Sequence, residues 1–237
     1  MIISVAGTDG AGKSTVTRRV HALLDTPERP VRRVDRWDIV DNPAYPAARF
    51  MRPDVPDTRL CVAEMPTTSR FLFLMWSIGL ALTGNEAMPG GQPVLLDGYW
   101  MKHAASETVY GLDRAWTESV TAGLPRSDLV FYLRLDPAVA WERKRGRDVV
   151  PYECGMDPDC SERSFLSHQQ EILKVLDSWA ERDGWTEIDA AAPLDEVVAA
   201  VAGGIGAALA APRPGGPPAV PGTTRPDPSS RKQDVPS

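Results

Sequence analysis

Cysteine is scarce in this chain: 237 residues contain three, Cys61, Cys154 and Cys160. An odd, sparse set cannot build a disulfide framework, so the sequence predicts ordinary loop cysteines and a reducing compartment. Cys154 and Cys160 lack the second pair that a zinc site of this spacing would need. A surplus of positive charge is also missing. The formal net charge is -6, which opposes nonspecific attraction to nucleic acid and leaves a small anionic ligand to be met by locally placed cations. No apolar run is long enough to span a bilayer, and the N-terminus runs from Met1 straight into an apolar segment without a basic stretch or cleavage site. These absences predict a cytoplasmic protein with no membrane and no nucleic-acid partner.

What the chain does have is an alternation of short apolar runs and helical patterns. Ile2 to Ala6 reads as a strand, Gly7 to Gly12 as a glycine-rich turn and Lys13 to Leu24 as a helix. Val31 to Val34 forms a second strand. Asn42 to Pro56, punctuated by proline, excludes regular helix and central strand. Thr58 to Thr83 reads as one mostly helical, very apolar stretch. Val94 to Leu96 is an unbroken apolar run ending in Asp97, the pattern of a central parallel strand. His103 to Ala122 is helical, Leu129 to Leu135 is a strand, and Asp136-Pro137 opens a helix over Ala138 to Arg145. Residues 146–161 form a polar lid. A long amphipathic helix starts at Phe165, Trp185 to Ile188 is a last strand, and Pro193 to Leu209 a last helix that Gly203, Gly204 and Gly206 weaken. The Pro- and Gly-rich remainder, 211–237, reads as a disordered tail behind one domain over 1–210. The alternation predicts an α/β fold, a parallel sheet covered by helices on both faces.

The segment GTDGAGKST carries the chemistry. Gly7, four intervening residues, Gly12, Lys13 and Ser14 have the Walker A spacing. Glycines let backbone N–H groups converge on phosphate oxygens, the helix that follows adds its positive end, and Lys13 reaches the β and γ phosphates. Gly7, Asp9, Gly10, Ala11, Gly12, Lys13, Ser14 and Thr15 are therefore the expected ATP-binding residues. Asp97 at its strand end would join Ser14 in holding Mg²⁺. Arg143, Lys144, Arg145 and Arg147, at the junction of helix and lid, offer cations for a transferring phosphoryl group, where catalysis is mainly positioning and charge stabilisation.

These residues resemble the thymidylate kinase family of nucleoside monophosphate kinases, from Met1 to about Leu209. GTDGAGKST is similar to the family's loop, LLDGY to its DRY-type strand end, SDLVFYLRLDPAVAWER to its strand-to-lid segment and WTEIDAAAPLDEVV to its C-terminal IDA signature. The resemblance implies the three-layer P-loop fold with a five-stranded parallel sheet and a lid. It implies ATP and Mg²⁺ as cofactors, a nucleotide acceptor with dTMP the default, and arginines that close over the phosphates. Lys13, Asp97, Arg143 and Arg147 are the expected catalytic residues, Ser14 and Asp97 the metal ligands, and Asp9, Arg36, Arg70 and Tyr99 the acceptor-binding set.

The departures fall on the acceptor side. The family's Asp-Arg pair is Asp97-Gly98, and its REPGG-like segment is Arg36, Trp37, Asp38 and Ile39, in which Arg36 is a replacement anchor for phosphate. The family's helix arginine matches Arg70 or, with another gap, Ser77, two helical turns and about 10 Å away. Lys102 or His103 would supply lost positive charge, or else decorate the surface. Three functions stay open: transfer to a nucleoside monophosphate; transfer to a hydroxyl of a nucleoside or specialised metabolite, with Asp97 or Glu107 as base; and nucleotide binding without turnover. The apolar stretch Phe71 to Leu82 fits either a homodimer surface or the core.

Overall fold

A computed structural model describes residues 1–42, 44–45, 55–83, 92–144 and 149–210. Five strands, β1 (Ile2–Gly7), β2 (Arg32–Val34), β3 (Val94–Asp97), β4 (Leu129–Arg134) and β5 (Thr186–Asp189), form one all-parallel sheet in the order β2-β3-β1-β4-β5. The fold is the P-loop α/β architecture. Unbroken apolar strands are required here because alternate residues enter different cores. Val94, Leu96 and Tyr132 face one core; Leu95, Ile3, Val5, Phe131 and Leu133 face the other.

The first core is closed by α3 (Thr67–Thr83), α4 (Trp100–Val109) and α7 (Glu162–Asp183), the second by α1 (Lys13–Leu24), α6 (Pro137–Lys144) and α8 (Leu194–Ala210). Most of the apolar stretch in α3 is core, with Phe71, Leu74, Met75, Ile78 and Leu82 buried, whereas Leu72 is exposed. Gly204 serves packing rather than merely weakening α8, since a Cβ there would lie 2.7 Å from the Phe131 ring. It lets the helix approach β4 closely.

Three elements differ from the sequence expectation. The single helix over Thr58 to Thr83 is two, α2 (Val55–Glu64) and α3, parted at Met65 and Pro66. Proline removes an N–H donor and disfavours the helical conformation of the residue before it. The same rule admits Pro56 in the first turn of α2, inside the stretch expected to exclude helix. The helix over His103 to Ala122 is likewise two, α4 and α5 (Arg114–Thr121), separated where Gly111 adopts φ +97°. Cys154 and Cys160 are bonded as a disulfide, with Cα atoms 5.2 Å apart, so two of the three expected loop cysteines are paired; Cys61 is free and exposed. Spacing alone did not show that the turn between them brings the two thiols together. Of the expected lid, 149–161 are described and include the 3₁₀ turn Pro151–Cys154. The tail at 211–237 and most of the Asn42 to Pro56 stretch lie outside the described residues.

Candidate active site

The glycine-rich loop leaves β1 at its carboxyl end and enters α1 directly. Gly7 has φ +152°, and a Cβ there would lie 2.6 Å from the Leu133 carbonyl oxygen, so no larger residue fits without moving β4. Gly12, at φ +85°, is the residue from which α1 starts. The α1 N-terminus has no side-chain cap and no acid in its first turn, which leaves its N–H groups and positive dipole end available to an anion. The Lys13 ammonium donates to the Thr8 carbonyl, 2.8 Å away, and so lies along the loop. Burial draws its pKa below that of an ordinary lysine, while Asp9 and Asp97 pull it back.

Parallel pairing of β1 with β3 sets Val5 opposite Asp97 and brings that carboxylate to the loop. Asp97 is 8% exposed, accepts a hydrogen bond from Arg33 Nη1 at 3.2 Å, and has its pKa raised by burial first and by Asp35 next. The Ser14 hydroxyl and the Lys13 ammonium act in the opposite direction. A hydroxyl and a carboxylate are hard oxygen donors, and this pair fits one side of a Mg²⁺ shell. Gly98, at the position where the resembled family carries arginine, has φ +75°, which a side chain adopts only under strain.

On this side of the loop opens a cavity of about 360 Å³, lined by Asp9, Lys13, Ser14, Asp97 and Tyr99 at the sheet end and by Val62, Ala63 and Leu74 toward α2 and α3. Charged groups crowd its wall, and most are already paired. Lys102 Nζ lies 2.7 Å from Asp9, whose pKa is held far below the usual carboxylate range; burial works against that shift, and Lys102, Lys13 and Lys144 outweigh it. Lys102 is therefore neither free nor surface decoration.

Arg70, expected to bind the acceptor, lines the cavity and is 1% exposed. Its Nε and Nη2 donate to Glu107 at 2.5 and 2.9 Å, and Nη1 donates to the Met65 and Ala63 carbonyls. The guanidinium lies 4.7 Å from the Tyr152 ring centre and 5.2 Å from that of Tyr110. Nearly all of its hydrogen-bonding capacity is spent inside the protein. The alternative, Ser77, bonds to Leu74 of its own helix and is fully buried. Arg70 is the one of the two that faces the cavity. Glu107, a base in the hydroxyl-transfer reading, is committed to Arg70 and to the Tyr152 hydroxyl at 2.9 Å. Tyr99 also lines the cavity, and its hydroxyl donates to the Pro125 carbonyl.

Arg36 differs from these. It lies over the Trp37 ring at 4.5 Å, and its buried Nε has no hydrogen-bond partner. Among the described residues no carboxylate pairs with it. Nothing in the sequence pointed to Glu153, whose 4% exposed carboxylate contacts Lys144 and lies 3.9 Å from Arg59. Its place at the cavity depends on the fold of the 3₁₀ turn, which no local pattern announces.

A second cavity, about 310 Å³, opens on the other side of the same loop between Gly10, Gly12, Thr15 and the β5–α8 connection at Ala190 and Ala192. Arg143 lines it and donates from Nη2 to the Ala190 carbonyl at 2.8 Å. Arg147, expected beside it in catalysis, lies outside the described residues. The two cavities thus share the phosphate loop, and Lys13, Ser14 and Asp97 border the first.

No family model matches the chain. It is similar to a protein named probable thymidylate kinase 2 from Saccharolobus solfataricus, 29% identical across 46% of this chain and 54% of the relative. It thus spans about half the length of that relative. A probable thymidylate kinase from Sulfurisphaera tokodaii is 27% identical across 64% of this chain and 72% of its own length. Another from Archaeoglobus fulgidus is 24% identical across 83% and 90%. The relatives it resembles over most of its length thus carry the name thymidylate kinase.

Proposed function

We propose that residues 1–210 catalyse transfer of the γ-phosphoryl group of MgATP to a nucleoside monophosphate, with dTMP the first acceptor to try. The observation that carries this reading is the pair of cavities meeting at one phosphate loop. The base of ATP enters the slot beside Arg143, whose exposed guanidinium face suits an aromatic ring. Its triphosphate follows the loop N–H groups and the α1 N-terminus to Lys13. Ser14 and Asp97 would hold Mg²⁺, which would supply positive charge to offset the negative charge of the transferring phosphoryl group. The acceptor enters the larger cavity with its phosphate on Arg36, a cation that no carboxylate pairs with among the described residues. A phosphate oxygen is already a nucleophile, so Asp97 orients and no residue needs to take a proton.

Names of relatives at 24–29% identity support a nucleotide kinase and leave the acceptor open. One observation favours a second reading. Gly98 replaces an arginine and Arg70 is spent on Glu107, so the cavity has fewer cations for an acceptor phosphate, and a hydroxyl acceptor would use Asp97, its pKa raised by burial, as base. ADP release with MgATP against monophosphates and their parent nucleosides decides. Turnover on monophosphates upholds the proposal; turnover on nucleosides alone replaces it with the second reading.

A further inference from the structure

His103 is 6% exposed, lies in the wall of the larger cavity and makes no hydrogen bond among the described residues; its Nδ1 is fully buried without a partner. Such a nitrogen is unusual. A buried polar atom without a partner loses its water and gains nothing in return, so folded proteins seldom keep one unless a ligand or function uses it. Helical spacing explains how it reaches the cavity. Tyr99, Lys102, His103, Ser106 and Glu107 recur at three- and four-residue steps and share the face of α4 that meets α3 and the lid turn. Along that face Lys102 is taken by Asp9 and Glu107 by Arg70. His103 stands between two closed ion pairs and belongs to neither.

Its surroundings determine what it can do. Burial, followed by Arg36 and Lys102, holds the imidazole neutral, with its pKa well below that of an ordinary histidine; Lys13 adds to this and Asp9 opposes it. The ring is therefore not the replacement cation that its sequence position suggested. A neutral imidazole has one N–H donor and one lone-pair acceptor, and can turn either toward a partner by choice of tautomer. Its complement is an uncharged polar group. The cavity then divides its work: Arg36 is suited to an anion, and His103 to a hydroxyl, carbonyl or N–H on the same molecule.

We propose that His103 is a specificity-determining residue, hydrogen-bonding an uncharged polar group of the acceptor while Arg36 takes the acceptor's phosphate. This rests on the nucleotide-acceptor reading given above. The group contacted is a sugar hydroxyl or the polar edge of the base, chemistries that a single imidazole serves equally. Arg70 is excluded from that task by its four bonds to Glu107, Met65 and Ala63. A site built around a buried polar group rejects a ligand that lacks the matching group, because the orphan then stays orphaned.

The test uses the full chain and two variants, His103→Leu and His103→Asn, each followed by melting temperature without ligand and by steady-state kinetics. For His103→Leu the expected results are a melting temperature unchanged or raised, KM for dTMP raised at least about tenfold, and KM for ATP unchanged. His103→Asn, which keeps a donor and an acceptor, recovers most of the acceptor affinity. A 3′-deoxy monophosphate and a base-free deoxyribose 5-phosphate identify the contact, since the variant's penalty disappears with whichever lacks the group that His103 binds. A melting temperature several degrees lower with KM for dTMP unchanged shows a merely structural histidine and overturns the inference. Absence of wild-type turnover on every monophosphate would instead overturn the function on which it rests.

Discussion

Replacing Arg70 with methionine removes a guanidinium that is 1% exposed and leaves Glu107, which is fully buried, without its cation. Breaking a buried pair from one side costs about 3–5 kcal/mol, because the stranded charge keeps its desolvation penalty and loses its attraction. For a domain of this size that corresponds to a fall in melting temperature of about 10 °C. Removing both charges in Arg70→Met with Glu107→Leu avoids the stranded carboxylate and recovers most of the loss. The double variant keeps a smaller cost, about 1 kcal/mol, since the Tyr152 hydroxyl loses the carboxylate that it donates to. Thermal melts of the wild type, both single variants and the double variant, analysed as a cycle, measure the coupling directly. A fall of less than about 2 °C for Arg70→Met, together with a tenfold rise in acceptor KM, would refute the reasoning and return Arg70 to the substrate.

Further outcomes follow from the loop and its neighbours. Lys13→Ala loses one bond to the Thr8 carbonyl, so the fold should survive while turnover drops at least about 10²-fold; unchanged turnover contradicts the loop's role. Arg33→Gln removes the cation that lowers the pKa of Asp97 and so drives that pKa further up. Since Mg²⁺ requires the carboxylate form, the acid limb of the rate profile should move to higher pH, and a limb that stays in place contradicts the metal assignment. His168, 6% exposed, has its pKa lowered to about 4 by burial, with Lys102 contributing. Its folded pKa lies below the unfolded one, so the associated stability, up to about 3 kcal/mol, is complete above pH 6.5 and lost as pH falls toward 4. Denaturant melts across that range should show the slope in the wild type and a flatter one in His168→Gln.

The phosphate loop could be read from the sequence because its chemistry is local: glycines, a lysine and a serine at fixed spacing, between an apolar run and a helix. Asp97 could be read for a related reason, as an acid ending a run that only a central strand explains. The larger cavity could not. Arg70 and Glu107 are 37 residues apart on different helices, and nothing near either announces the other. His103 looked like a spare cation in the sequence, and only its burial, with Arg36 and Lys102 beside it, makes it neutral. Pro66 and Gly111 did carry a local signal, yet the apolar pattern on both sides of each suggested a continuous helix. The cysteines were decided by a local turn that spacing does not specify, since their bond depends on how residues 154–160 turn.

Phosphoryl transfer is proposed for the cavity that Lys13 and Asp97 share. Incubation with Mg²⁺, dTMP and ATP labelled on its γ-phosphate, followed by separation of the products, tests it most directly. Label is expected in dTDP with the wild-type chain and none above background with Lys13→Ala. Bound ATP with no label in any nucleotide product would contradict it.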